Sequence, residues 1–256
     1  MERNLIFCFS GTGNSLHAAR RIAAELGGAE IVMMCDEFTP SGRYDRIGFV
    51  FPCYAGGVPR LVLDYIKRLD ICADTADYVF ALVTCGGNVR DTLPMLRDAL
   101  ARRGVTLDYG RSVHTVGNYI AMYDLKPGAE ERLASAAEEL AACVRELRER
   151  AVTEMGRVRL KVALFYKAGN RYFKLNAKKL AVSGECTSCG LCQRLCPTGC
   201  IAMRSGKPTF AWKKCVQCMA CVQWCPVQAI DCGEITKDRT RYRNPDIHAQ
   251  DILRDK

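Results

Sequence analysis

Cys186-Thr187-Ser188-Cys189-Gly190-Leu191-Cys192-Gln193-Arg194-Leu195-Cys196-Pro197 and Cys215-Val216-Gln217-Cys218-Met219-Ala220-Cys221-Val222-Gln223-Trp224-Cys225-Pro226 are two readings of one pattern, Cys-x2-Cys-x2-Cys-x3-Cys-Pro, set 29 residues apart. Ile201 and Ile230 keep the same offset, so the repeat runs past its cysteines. These two runs hold eight of the chain's 16 cysteines; Cys8, Cys35, Cys53, Cys72, Cys85, Cys143, Cys200 and Cys232 are scattered. In a short exported chain such a count would suggest disulfides. With no export signal to read, two dense clusters of soft thiolates point to metal.

The spacing selects the metal. Zinc held by four thiolates usually takes two separated Cys-x2-Cys pairs, whereas here each half is a triplet with a fourth Cys-Pro. A close triplet wraps three corners of a 4Fe-4S cubane, and the fourth cysteine, followed by proline, turns the chain away. Residues 183–232 resemble the bacterial two-cluster ferredoxins at every motif position. That resemblance implies two 4Fe-4S clusters with crossed ligation: Cys186, Cys189, Cys192 and Cys225 for one, Cys215, Cys218, Cys221 and Cys196 for the other. Cys200 and Cys232 lie outside the motif and read as packing residues.

Upstream, strand and helix signals alternate. Strands are expected at Asn4–Phe9, Glu30–Met34, Arg46–Phe51, Tyr78–Thr84 and Ser112–Val116. Helices are expected at Ser15–Leu26, Pro59–Leu69 and near Asp91–Arg103, with a long amphipathic one over Ala129–Glu154. Such alternation implies an α/β fold with a parallel sheet covered on both faces.

The first strand ends in Ser10-Gly11-Thr12-Gly13-Asn14-Ser15 and runs straight into a helix. Hydroxyls, glycines and free helix N–H groups concentrated there suit an anion. No Gly-Lys-Ser/Thr follows, and position 16 is Leu, which rules out both the Walker loop and the dinucleotide fingerprint. The run resembles the Ser-Gly-Thr-Gly-Asn-Thr phosphate loop of flavodoxins, with Ser15 keeping the hydroxyl. The resemblance implies a doubly wound sheet of order 2-1-3-4-5 that binds FMN at the ends of its first and third strands. The site residues it implies are Ser10, Thr12, Gly13, Asn14 and Ser15 on the phosphate. The third-strand exit adds Pro52, Tyr54, Ala55, Gly56 and Gly57, and the fourth-strand exit adds Thr84, Cys85, Gly86, Gly87 and Asn88. Flavodoxins often stack a Trp on the flavin, but Trp212 and Trp224 lie in the cysteine-rich region. Tyr54 is therefore the stacking candidate, with Tyr119 and Tyr123 next. Cys53 and Cys85 read as small buried thiols rather than a redox pair, and His17, His114 and His248 have no metal or triad spacing.

The chain divides into residues 1–155, flavodoxin-like; 156–182, a basic aromatic connector; 183–232, a small α+β two-cluster ferredoxin domain; and 233–256, a polar tail. The net charge of +9 is uneven. Residues 1–150 carry 18 basic against 20 acidic side chains, residues 151–182 carry 8 against 1, and residues 183–256 carry 11 against 7. The connector's Phe165, Tyr166, Tyr172 and Phe173 favour packing over free solvation. No apolar run has the roughly 18 residues of a membrane span, and Leu5–Phe9 is too short for a signal-peptide core, so a cytoplasmic protein is expected.

The combination resembles fusion flavoproteins common in anaerobic bacteria. It implies an electron-transfer module passing single electrons between clusters and FMN and serving redox partner proteins. The alternative is an FMN-dependent reductase of a small organic acceptor, for which the sequence nominates no proton donor, so a carrier is expected over a substrate-specific enzyme. A nucleic-acid sensor would want a DNA-binding helix pair, and none is read. The sequence fixes no oligomeric state.

Overall fold

The computed structural model describes residues 2–253. Its first part winds β1 (Asn4–Cys8), α1 (Asn14–Glu25), β2 (Glu30–Met33), β3 (Arg46–Pro52), α2 (Arg60–Arg68), β4 (Val79–Cys85), α3 (Thr92–Ala101), β5 (Tyr109–His114) and α4 (Ala129–Arg148) into one layered unit. All five strands are parallel in the order β2-β1-β3-β4-β5. This is the flavodoxin-like doubly wound topology, whose switch point lies between β1 and β3. Helices cover both faces, so central strands bury both sides and read as continuous apolar runs. Along β1, Ile6 and Cys8 pack with Val50, Leu82 and Phe80, while Leu5 and Phe7 pack with Phe49, Phe51 and Val62 on the other face. Phe7, Phe49 and Phe80 are fully buried, each worth about 1.5–3 kcal/mol in removed apolar surface.

Two sequence expectations shift. The fifth strand spans Tyr109–His114 rather than Ser112–Val116. Its register is set by pairing with Phe80–Cys85 and by burial of Tyr109, whose hydroxyl donates to Glu146 at 2.8 Å. The long helix stops at Arg148 rather than Glu154, because Arg150 turns left-handed (φ 52°). The following segment then runs beside β5, where Thr153 N–H donates to Asp108 O and Thr153 Oγ1 accepts from Gly110 N–H.

The connector contains an 18-residue helix, α5 (Leu160–Ala177). Beyond it come β6 (Leu180–Val182), α6 (Leu191–Arg194), β7 (Ile201–Arg204), β8 (Lys207–Phe210), α7 (Ala220–Gln223) and β9 (Ile230–Cys232). β6 pairs antiparallel with β9, and β7 with β8. The cysteine repeat is a backbone repeat as well. Ser188 and Gln217, Gly190 and Met219, and Gly199 and Gln228 all have positive φ at the same 29-residue offset. Among the described residues no helix is long and apolar enough to cross a membrane.

Candidate functional site

Every strand of a parallel sheet ends at the same edge, so loops distant in sequence meet there. A cavity of about 560 Å³ opens at that edge, a size ordinary for a small-molecule site. One end is the loop after β1, contributing Ser10, Gly11, Thr12, Asn14 and Ser15. Gly13 caps α1 in a left-handed conformation with no side-chain cap, so the first-turn N–H groups stay available to an anion. The loop hydroxyls are oriented by acceptor bonds. Ser10 Oγ accepts from Gly13 N–H (3.1 Å), and Thr12 Oγ1 accepts from Asn118 Nδ2 (2.7 Å). Ser15 Oγ and Thr84 Oγ1 share one bond of 2.7 Å. A hydroxyl that accepts still has its own proton to donate, which is what an anionic ligand needs.

Asn14 plays a different part. Its amide donates to Thr115 Oγ1 and Val116 O, and its Oδ1 accepts from Tyr242 O–H (2.7 Å) and Asn244 Nδ2 (3.1 Å). It is a buried tie between the sheet edge and the tail, and only its backbone N–H is left for a ligand.

The exits of β3 and β4 form the next walls, with Pro52, Tyr54, Ala55 and Gly56 from one and Thr84, Cys85, Gly86 and Asn88 from the other. Cys53 joins them, while Gly13, Gly57 and Gly87 do not line the cavity. Tyr54 is set edge-on by Phe9 and Phe173, at centroid distances of 6.0 and 5.9 Å. Burial pushes the Cys53 thiol up and the Cys85 thiol up to about 12. Cys53 lies 3.2 Å from Thr92 Oγ1, and Cys85 donates to Gly87 O at 2.9 Å. Both are held as neutral thiols. The Tyr123 hydroxyl is likewise pushed above its ordinary value by burial.

Three further walls had weaker sequence signals. The loop after β5 brings Thr115–Asn118 and, beyond it, Met122. Helix α5 brings Phe165, Ala168, Gly169, Tyr172 and Phe173. The α5 ring of Tyr166 lies over Gly57 and its hydroxyl donates to Val58 O (2.6 Å), while Arg159 clasps buried Asp91 at 2.6 Å. Tyr166, Tyr172 and Phe173 are thus half-buried, as the composition implies, while Phe165 stays 48% exposed beneath the Arg90 guanidinium. The third wall is Gln217, Cys218 and Met219, from the second cysteine loop itself.

The eight motif cysteines gather around two other small cavities. One is lined by Cys186, Cys189, Cys192 and Cys225, the other by Cys196, Cys215, Cys218 and Cys221 together with Cys200. Counting motif cysteines, each cavity takes three from one loop and one from the other. Among the described residues no three His, Cys, Asp or Glu side chains converge as a single-ion site. The fourth cysteines share one device. Cys196 Sγ accepts from Cys200 N–H and Cys225 Sγ from Ala229 N–H, both at 3.2 Å. Cys200 thus stands where the other half has Ala229, and its sulfur lies 3.4 Å from Cys196. Burial pushes the Cys218 thiol up to about 12. A thiol so desolvated ionises when a metal replaces the lost water, and coordination deprotonates it outright.

The tail, read as merely polar, is a strap. Arg241 pairs with Asp231 (2.6 Å), and Tyr242 N–H donates to Gln223 Oε1 (2.7 Å). Asn244 N–H donates to Thr12 O (2.8 Å), and Asp251 accepts from Arg20 on α1 (2.8 Å). The tail's last three residues, 254–256, lie outside the described residues. One Asn, one Tyr and several Arg around a single proline give no periodicity from which to foresee these bonds.

Residues 185–230 match the family model of the 4Fe-4S dicluster domain. No curated protein matches the chain. Among solved structures it is similar to the Fusobacterium nucleatum flavodoxin bound to flavin mononucleotide (11% identity, 59% of this chain and 99% of that one, TM-score 0.42). It is also similar to the Megasphaera elsdenii flavodoxin (19%, 53% and 98%, TM-score 0.37) and to an FMN-dependent NADH-azoreductase of Bacillus anthracis (14%, 57% and 99%, TM-score 0.40). The chain combines a flavodoxin-like sheet domain with a 4Fe-4S dicluster ferredoxin region.

Proposed function

We propose that this chain is an electron-transfer iron–sulfur flavoprotein, in which electrons pass between two 4Fe-4S clusters and an FMN on behalf of partner proteins that give or take single electrons. The observation that carries the reading is a shared wall. Gln217, Cys218 and Met219 line both the cavity at the sheet edge and the cavity of the second cysteine loop. Tunnelling falls steeply with distance, so a shared wall is what direct exchange requires.

The residues fit both groups. Cys186, Cys189, Cys192 and Cys225 would hold one cluster, and Cys196, Cys215, Cys218 and Cys221 the other. Ser10 and Thr12 would donate to the phosphate with the N–H groups opening α1, and Ser15 would join them when Thr84 donates their shared bond. The β3 and β4 exits, with Tyr54, would flank the ring. Bound FMN accepts one or two electrons and thereby joins single-electron carriers to a two-electron couple. The protein's share is position: Trp224 Nε1–H donates to Gly11 O at 2.9 Å, pinning the phosphate loop to the second cysteine loop.

A carrier is favoured over a reductase by the cavity's chemistry. Arg90 is its only charged lining residue among those described, and the Tyr54, Tyr119 and Tyr123 hydroxyls and the Cys53 and Cys85 thiols, which could move a proton, are all pushed up by burial. The reductase reading draws on its mouth, where Met122, Tyr123 and Phe165 are 52%, 42% and 48% exposed.

Anaerobic rapid mixing tests the proposal. With a one-electron donor, cluster bleaching should be followed by flavin reduction at a rate independent of protein concentration. A flavin rate that scales with protein concentration means electrons cross between molecules, and the proposed path is then wrong.

A further inference from the structure

A third cavity, of about 390 Å³, lies beyond the Tyr54–Phe173 pair, which borders it as well as the large cavity. Cys215 and Val216 are part of its wall, so the second cysteine loop faces it from the side away from Cys218. What sets it apart is charge. Arg60 and Arg68 from α2, Lys174 from α5, and Lys213 and Lys214 beside the cysteine loop line it, against one carboxylate, Asp64. Asp64 pairs with Arg60 at 3.4 Å and with Lys67 at 3.5 Å. Among the described residues Arg68, Lys174, Lys213 and Lys214 have no ion-pair partner; Arg68 lies over the Tyr65 ring and Lys213 over Trp212. All five cations are solvent-exposed.

Three segments far apart in sequence thus bring like charges to one concave place, which costs repulsion with no internal carboxylate to offset most of it. Such a surface is complementary to an acidic one, and exposed cations around an open site speed and orient encounter more than they grip. A pocket for a small anion would instead hold it by buried polar groups, and these cations are all at the surface.

We propose that this cationic cavity is the docking site of an acidic one-electron carrier protein, placed so that the partner meets the chain at Cys215 while Cys218 faces the flavin-type cavity. The proposal rests on the electron-transfer reading, and its test is a binding measurement that needs no electron flow.

The probe is an oxidised acidic two-cluster ferredoxin, titrated anaerobically by calorimetry into the iron- and flavin-loaded full chain. Affinity should fall as salt rises. The double variant Lys174→Glu/Lys213→Glu should weaken binding by about tenfold or more at low ionic strength and flatten its salt dependence, with iron content and visible spectrum unchanged. Arg68→Glu, on α2 and away from the cysteine loops, should weaken it in the same direction. Equal affinity for wild type and both variants overturns the proposal. So does equally tight binding of a basic one-electron protein such as a cytochrome c. Stoichiometric binding of inorganic pyrophosphate, lost in the variants while ferredoxin binding persists, overturns it in favour of a small-anion site. A flavin rate that depends on protein concentration would sink the intramolecular path and leave this binding result standing, so the two failures are distinguishable.

Discussion

The two cysteine loops share sequence pattern, backbone conformation and fourth-ligand hydrogen bond, yet they live in different surroundings. In the first, Ser188 and Cys189 are exposed. In the second, Gln217, Met219, Ala220, Val222, Gln223 and Trp224 are all buried against the sheet domain or the tail. Gln217 Oε1 accepts from Tyr119 O–H at 2.9 Å, and Gln223 Nε2 donates to Asn118 O at 2.8 Å. The equivalent residues in the first loop are Ser188 and Arg194, which make no such bonds to the sheet domain. A duplicated motif has been divided into an inner half that walls the sheet-edge cavity and an outer half that buries Leu195 but leaves Ser188 and Cys189 to solvent. The cysteine positions are the same in both halves; the positions between them differ, and those differences decide which half docks.

This asymmetry is most sharply tested by removing ligands. Cys218→Ser should lose about half the iron and also lower flavin retention, because the same loop walls the larger cavity. Cys189→Ser should lose about half the iron and keep its flavin. Cys225→Ser, although it lies in the inner loop, should damage the cluster of Cys186, Cys189 and Cys192. Iron and flavin per chain in anaerobically purified protein decide all three; equal flavin loss in Cys189→Ser and Cys218→Ser would erase the distinction between inner and outer halves.

Next in size is a pair of glycines. A Cβ on Gly11 would fall well inside contact distance of the Cys218 carbonyl oxygen. Backbone must shift to admit it, so Gly11→Ala should cost about 1–3 kcal/mol. Gly190 has positive φ but open space around its would-be Cβ, and its counterpart Met219 already holds this conformation at φ 61°. Gly190→Ala should cost only about 1 kcal/mol. Denaturant midpoints of the two cofactor-loaded variants compare them, and a larger loss at Gly190 would contradict the close packing of the inner loop.

A smaller effect is expected at the strap. Tyr242→Phe removes the donor to buried Asn14 Oδ1, which keeps Asn244 as a partner, so the loss should be about 1 kcal/mol. Faster proteolysis of the tail, with iron content unchanged, is the expected readout; an unchanged cleavage rate would mean the strap is held elsewhere.

The smallest effect concerns pH. Asp91 is 3% exposed, and the Arg159 guanidinium holds its carboxyl below the usual carboxylate range. A depressed folded-state value means the contribution is present above the unfolded value near 3.9 and is lost as pH falls through the folded one. Arg159 is 66% exposed, so the pair is screened and its contribution is modest. Asp91→Asn should therefore flatten the stability loss below about pH 4 in acid-unfolding curves; an identical acid limb would show that the pair does not anchor α5.

Much of this was legible because certain chemistry tolerates few spellings. Four soft ligands around a cubane impose the cysteine spacing, and a phosphate on a helix N-terminus asks for a short loop of hydroxyls and glycines. Strand–helix alternation gave the parallel sheet, since apolar periodicity reports burial directly. Helix ends and the fifth strand were displaced because their limits depend on a left-handed Arg150 and a buried Tyr109, which no local pattern marks.

The sequence by itself determined the parts: a parallel sheet with an anion loop, a doubled cysteine motif, and an aromatic basic segment that packs. Only the tertiary structure decided which cysteine loop faces the sheet edge, that α5 and the tail close the gap between them, and that unpaired cations collect beside Cys215. The physical reason is range. Periodicity and ligand spacing are set by neighbours along the chain, whereas docking depends on contacts such as Trp224 with Gly11 and Asn244 with Thr12, more than 200 residues apart, whose partners are fixed only when both surfaces exist.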